Sequence, residues 1–558
     1  MTRYRFLFLS FLFLATSACF AQEATTDQTD AIRQMQFVDI DSDVPTFGHW
    51  GDKPTKYSSW TNHSNRLVPI YTFGIGLEKY SGENSVYRNE AAIIKLYGQL
   101  PPETVNPDAN YMDQSNVYQL QMDAFKSGKK NVILIVFDGM DWQTSYAASI
   151  YKNKKVLYNK GRGKGLAFMD YDGCKTDFGS FVCSPHNKGT LSNVDAQVVN
   201  NPGGEKRGGY SFEHGGSTPW SKSKSLGYLI GNLKSLDHVV TDSAASGTSM
   251  TTGFKTFNAA IAVDFEGKQL TPIGQEMQQQ GYKVGVVSSV PFSHATPASS
   301  YANNVDRNDY QDISRDMLGL KSISHKSKPL PGMDVVIGCG WGEMKDDDRT
   351  KQGRNYVPGN KYIAASDADS LSVDAGGKYV VAERTRGKDG GQVLRRAAAR
   401  AAKENQRLLG FFGTKGGHLP YQTADGCFDP TRGATTADSY TVRDIAENPT
   451  LEEMTRAALT VLGTGDKGFW LMIEAGDVDW ANHNNNIDDS IGAVFSGEAA
   501  FEAVTQWVEN FSSWDDTAVI VTADHGHMLV INDPEALTGV GQQKKAKEVA
   551  AETNESVK

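Results

Sequence analysis

Cysteine is scarce in this chain: Cys19, Cys174, Cys183, Cys339 and Cys427 are the five among 558 residues, too few for a disulfide scaffold to stand in for a core. Long apolar runs are scarcer. Past residue 21 no stretch reaches the roughly 18 uninterrupted apolar residues that a membrane-spanning helix needs. Basic charge is not in excess either, with 56 Lys+Arg against 66 Asp+Glu and a formal charge of −10. That removes the cationic stripe required for polyanion binding by counterion release, and with it nucleic acid as a structural partner. There is no internal repeat, and no histidine follows His527. What the chain has is length and 39% hydrophobic residues, enough for one large domain with a continuous core and insertions.

At the N-terminus, Arg3 and Arg5 precede an apolar run from Phe6 to Ala15, and small residues lead to Cys19-Phe20-Ala21. This is the pattern of a secretory signal peptide over 1–21, and it predicts a periplasmic or secreted protein. Lipid anchoring through Cys19 is the weaker alternative, because Thr16 stands where a lipobox wants a branched aliphatic. Export permits a disulfide, and Cys174 and Cys183 either close a short loop or remain thiols. Cys339, in an apolar run, reads as a packed thiol.

Short apolar runs at Val132 to Phe137, Val284 to Val290, Val335 to Ile337, Phe469 to Ile473 and Ala518 to Thr522 have the composition of strands buried on both faces. Helical segments separate them. Thr271-Pro272 opens one that Gly281 closes, Thr450 with Glu453 forms a capping box before Met454, and Ala397 to Leu409 and Glu498 to Val508 carry helical spacing. Alternating strands and helices predict a doubly wound, mostly parallel α/β sheet, with its chemistry at the carboxyl ends of the strands. Between 153 and 235 the composition shifts to Gly, Lys, Ser and Asn, which predicts an insertion of loops. Asp346 to Gly359 and Thr423 to Thr436 look similar, and 542–558 is a polar tail.

Several of these runs end in acids. Phe137 is followed by Asp138-Gly139, Thr522 by Ala523-Asp524-His525-Gly526-His527, and a third run ends in Glu474 with Asp479 and His483 beyond it. A single acid after a strand is usually a cap or turn residue. Carboxylates with imidazoles recurring at one sheet edge fit divalent metals instead, mixed N/O ligands favouring zinc and oxygen ligands magnesium. Ser243, in Thr241-Asp242-Ser243-Ala244-Ala245-Ser246-Gly247-Thr248, stands where a helix beginning would turn free N–H groups towards an anion; by itself the segment is equally an ordinary cap.

Taken in order, Asp138-Gly139-Met140, Asp242 to Thr248, Glu474 with Asp479 and His483, and Asp524-His525-Gly526-His527 resemble the alkaline phosphatase family, over about 131–527. The resemblance implies that family's three-layer α/β fold. It also implies that Ser243 is the nucleophile that becomes phosphoserine. Asp138, Asp524 and His525 are then ligands of the zinc that activates it, Asp138 bridging to magnesium, and Asp479 and His483 are ligands of a second zinc that activates water. His527 orients a ligand carboxylate. In His294-Ala295-Thr296-Pro297-Ala298, Thr296 matches the magnesium-ligand hydroxyl, Glu474 its carboxylate, and His294 lies next to that metal. Arg307 falls where the family has its phosphate-clamping arginine, a role suited to a bidentate guanidinium.

Two departures stand out. Asp141 replaces the usual glycine after Asp-Gly-Met, and the second zinc lacks the histidine that the family supplies near its C-terminus. Trp60-Thr61-Asn62-His63-Ser64, continuing to Gly74, resembles that missing segment, and the helical stretch from Asn89 to Leu96 follows it as a helix does in the family. The expectation is a circular permutation in which 22–130 carries the family's C-terminal strand and helix ahead of a 131–541 core, with His63 as the zinc ligand and His49 as the weaker substitute. Permutation is tolerated where termini are exposed and close together.

The resemblance implies an exported phosphomonoesterase that uses two Zn2+ and one Mg2+ on small-molecule phosphate monoesters. A homodimer is compatible with it. A phosphodiesterase of the same fold and a non-catalytic metal- or phosphate-binding protein are the competing readings.

Overall fold

The computed structural model describes residues 30–344, 351–435 and 438–539. The expected signal segment with Cys19 and the polar tail at 542–558 lie outside the described residues. In chain order the strands of the central sheet are β1 (Val68–Phe73), β2 (Met112–Asp113), β3 (Asn131–Phe137), β4 (Thr176–Val182), β5 (Lys283–Pro291), β6 (Val335–Cys339), β7 (Tyr379–Glu383), β8 (Arg407–Phe411), β9 (Phe469–Ala475) and β10 (Thr517–Thr522). They form one 10-stranded sheet in the order β7-β8-β6-β5-β9-β3-β10-β1-β4-β2. From β7 to β10 every pairing is parallel. β1 runs antiparallel to both β10 and β4.

The five apolar runs become β3, β5, β6, β9 and β10 because helices cover both sheet faces, leaving nowhere for a polar residue to point outwards. All seven residues of β3 and all seven of β9 are buried. The helices used below are α1 (Ala31–Ser42), α2 (Trp142–Asn153), α3 (Ser243–Thr252), α4 (Ala295–Ser299), α5 (Gly390–Glu404), α6 (Leu451–Leu462), α7 (Asp477–His483) and α8 (Ile487–Phe511). One layer packs α5 on α6, α6 on α8 and α8 on α2; the other packs α3 against α4 and against the helix Asn116–Lys126.

The expected caps are present. Pro272 precedes the helix Ile273–Gln279, and Thr450 and Glu453 complete a reciprocal capping box on α6. The helical spacing at Ala397 to Leu409 is corrected: α5 starts at Gly390 on an Asp389 cap and ends at Glu404, and Arg407 onwards is β8. Nor is 153–235 loop alone, for β4 joins the central sheet beside β1. Cys174 and Cys183 are free thiols. They flank the extended β4, which holds them about 3.3 Å per residue apart along the strand and far beyond disulfide reach. Cys339 is buried at the end of β6, as expected of a packed thiol.

No helix among the described residues is long and apolar enough to cross a membrane.

Candidate metal and phosphoryl-transfer site

Parallel strands bring their carboxyl ends to one edge, and the acids sit there. Asp138 follows β3, Glu474 is the penultimate residue of β9, and Asp524 and His525 lie two and three positions beyond the end of β10. All four are buried. The loop leaving β5 supplies His294 and, on α4, Thr296. α7 is a short helix entered straight from β9, so Asp479 and His483, four residues apart, fall on one face of it.

Ser243 is the first residue of α3. Asp242 caps the helix, its Oδ1 accepting from Ala245 N at 2.9 Å while Oδ2 accepts from Arg307 Nη1 at 3.2 Å. One aspartate therefore orients both the helix start and the guanidinium, and Arg307 lines the same cavity as the serine, its charge reinforced despite burial. The Ser243 hydroxyl lies 3.2 Å from His525 Nε2.

Asp138, Asp524 and His525 converge as one group of metal-ligand atoms, and His63, Asp479, His483 and His527 as another. In the first group, His525 Nε2 is 3.3 Å from Asp138 Oδ1 and 3.4 Å from Asp524 Oδ2. In the second, backbone carbonyls select the tautomers: His63 Nδ1 lies 2.8 Å from Thr241 O, and His483 Nδ1 lies 2.8 Å from Thr61 O. A carbonyl only accepts, so each Nδ1 carries a proton and each Nε2 is the ring atom turned towards Asp479. Those two Nε2 atoms face each other at 3.1 Å, each 3.5 Å from Asp479 Oδ1. Two ring nitrogens and a carboxylate oxygen converging on one point are a donor set that could hold a cation between them. His527 differs: its Nε2 is 2.7 Å from the same Asp479 oxygen, a hydrogen bond that orients the carboxylate.

His63 reaches the group because the strand His63–Ser64 pairs with Gly526–His527, placing His63 opposite His527, and its ring stacks on His525 at 3.7 Å between centroids. His49 does not. It lies in Gly48–Trp50, paired with Leu529–Ile531, and belongs to neither ligand group.

Near Asp138, Thr296 Oγ1 lies 3.4 Å from Asp138 Oδ2, and the Ser288 hydroxyl donates to Glu474. Asp138 Oδ1 and Glu474 Oε1 are buried without a hydrogen-bond donor. Burial, then the charges of Asp524, Asp479 and Glu474, push the Asp138 carboxyl well above its ordinary range; burial, with Asp524 adding to it, raises Glu474 to about 8. Asp479 goes the other way: burial opposes ionisation, but His483, His527 and His63 hold it well below the usual carboxylate value. Burial depresses His294 and His527 to about 3, so both are neutral imidazoles. Clustered buried acids with orphaned oxygens are the electrostatic counterpart of bound cations. The mixed N/O groups suit zinc, and the oxygen-only neighbourhood of Asp138, Thr296 and Glu474 suits magnesium.

Four contributors escape sequence reading. Ser246 Oγ donates to Asp524 Oδ2 at 3.0 Å; it lies one helical turn from Ser243, a spacing that could have revealed it. Ser288 could have been noticed as a polar residue within an apolar strand. The Gln114 side chain donates to the Asp524 carbonyl, and Trp480 lines the cavity over Ser243; nothing in the sequence marks either. Asp141 does not disturb the backbone. It caps α2 and pairs with Arg66 at 2.7 Å, both buried.

Known proteins share much of this sequence. Residues 228–556, more than half of the chain, match the family model described as alkaline phosphatase. The span begins past Asp138 and His63. The chain is 30% identical over 323 residues to alkaline phosphatase 4 of Bacillus subtilis (strain 168), covering 56% of this chain and 57% of that protein. It is 29% identical over 330 residues to the alkaline phosphatase of Escherichia coli (strain K12), covering 55% and 62%. The chain thus spans about three-fifths of the length of these curated relatives. Among solved structures, Thermus thermophilus alkaline phosphatase aligns with a TM-score of 0.42 and 22% identity, over 72% of this chain and 60% of that one.

Proposed function

The chain belongs to the alkaline phosphatase family, and from that premise we propose that it is an exported, metal-dependent phosphomonoesterase working through a phosphoserine on Ser243. The observation that carries the reading is the position of the Ser243 hydroxyl at the start of α3, 3.2 Å from His525 Nε2 in one candidate metal-ligand group and lining the same cavity as His63, Asp479 and His483 of the other. Asp138, Asp524 and His525 would hold one zinc, His63, Asp479 and His483 the other, and Asp138, Thr296 and Glu474 a magnesium. When bound, these ions supply Lewis-acid charge for the attacking and departing oxygens of an in-line displacement.

The chain's own groups do the rest. Ser243 Oγ forms the bond to phosphorus as the bond from phosphorus to the ester oxygen breaks, and the alcohol departs with a proton. Water then cleaves the phosphoserine, releasing phosphate and restoring the hydroxyl. Arg307, steadied by Asp242, clamps two phosphoryl oxygens, and the first N–H groups of α3 favour the same anion. His527 keeps Asp479 oriented, and Ser246 does so for Asp524. Charge stabilisation at a preorganised site is the main contribution.

The N-terminal segment is read as the family's permuted C-terminal portion. In support, β1 lies directly beside β10, and His63 precedes it within reach of Asp479 and His483. That placement also counts against a binding-only protein with half a metal site. A metal-replete preparation should hydrolyse a chromogenic phosphomonoester in preference to its diester. Absence of monoester turnover with zinc and magnesium bound defeats the reading, and preferential diester cleavage replaces it.

A further inference from the structure

The cavity over Ser243 has a volume of about 600 Å³, in the range that takes in a whole small molecule and well beyond what a phosphoryl group fills. Its lining divides by chemistry. Ser243, Arg307, His63, Asp479 and His483 form the phosphoryl end. Tyr421, Trp480 and Asp438 line the same space and have no role in phosphoryl transfer.

The two aromatic rings are part-exposed and held from behind. Tyr421 lies flat against buried His418, with centroids 4.1 Å apart and planes 7° apart. Trp480 meets His418 edge-on at 5.3 Å and His294 at 5.7 Å. Trp480 also directly follows Asp479 on α7, so its ring is fixed relative to the phosphoryl end. Rings already ordered in this way offer a stacking face without the entropy cost of immobilising them on binding. Asp438 adds a polar element. Its side chain is 61% exposed and lies 3.7 Å from His418 Nε2, and this neighbour holds the carboxyl below its ordinary range. An ionised carboxylate accepts hydrogen bonds and donates none. It suits hydroxyl donors on the departing alcohol and disfavours a second anionic group there.

Resting on the phosphomonoesterase reading, we propose that the preferred substrates are nucleoside 5′-monophosphates, with the base against Tyr421 and Trp480 and the ribose hydroxyls donating to Asp438. Simple polyol phosphates would use only the phosphoryl end.

The test compares kcat/KM for adenosine 5′-monophosphate, ribose 5-phosphate and glycerol 1-phosphate on the metal-replete protein. The expected order is the nucleotide first, by about tenfold over ribose 5-phosphate, the discrimination one stacked base typically gives. Tyr421→Leu should cut the nucleotide-to-ribose-phosphate ratio severalfold through KM, Tyr421→Phe should keep it, and Asp438→Asn should lower the ratio of ribose 5-phosphate to glycerol 1-phosphate. Equal kcat/KM for all three esters overturns the inference and leaves the phosphatase reading intact, as does a nucleotide ratio untouched by both Tyr421→Leu and Trp480→Leu. Failure to turn over any of the three overturns both.

Discussion

At the level of single residues, the site turns on two imidazole nitrogens that face each other at 3.1 Å beside one carboxylate. His63 and His483 are each fixed by a carbonyl on Nδ1, so their Nε2 atoms converge on Asp479. His63→Ala should therefore lower bound zinc by about one ion per chain, while His49→Ala should leave metal content unchanged; metal analysis showing equal zinc in the two variants contradicts the assignment. A second residue-scale prediction concerns Arg33 on α1. Its guanidinium, almost fully buried, contacts Asp488 at 2.7 Å, Asp429 at 2.8 Å and Asp425 at 3.0 Å. Removing one partner leaves the buried Asp488 carboxylate uncompensated, which typically costs about 3–5 kcal/mol. Arg33→Met should lower unfolding stability by that order in denaturant titration, and a loss under 1 kcal/mol would show that Asp488 finds relief elsewhere.

At the level of elements, legibility followed burial. The runs that became β3, β5, β6, β9 and β10 were readable because strands buried on both faces are predominantly apolar. The edge strand β7 and its neighbour β8 were not, being short and partly exposed; β8 was absorbed into the helical spacing of α5, whose end is set by Asn405 in a left-handed conformation rather than by periodicity. β4 was hidden by its composition, since Thr176-Asp177-Phe178-Gly179-Ser180 is only half-buried. The site was far more legible than the sheet. Side chains able to ligate a metal are chemically restricted and here recur at strand ends, whereas the side chains behind them, such as Gln114 and Trp480, answer only to local space. His325 shows how an element junction responds to pH. It follows the helix Tyr310–Leu318 and lies 2.9 Å from Asp316 on it. Burial would lower its pKa, but the hydrogen bond and charge of Asp316, with Asp312 adding, raise it above 6.5. A raised folded value means the contribution is full below pH 6.5 and is lost as pH rises through that folded value. Denaturant midpoints should fall across that window in the parent protein and flatten in His325→Asn; an identical pH dependence in the two contradicts the coupling.

At the level of the whole molecule, the fold gathers side chains from His63 to His527 at one edge of a 10-stranded sheet. Parallel strands make this possible, because every crossover returns a carboxyl end to the same side. The antiparallel β1 extends that edge and sets the N-terminal histidine opposite the last one in the sequence. Four buried carboxylates then share a neighbourhood with few fixed positive charges, a balance that bound cations would complete.

Acid quenching during turnover, followed by peptide mapping, tests the central claim most directly. The protein mixed with a phosphomonoester should carry one acid-stable phosphoryl group on the peptide containing Ser243, and Ser243→Ala, with its metals retained, should carry none. A phosphoryl group that persists in Ser243→Ala, or that maps to another residue in the parent protein, contradicts the account.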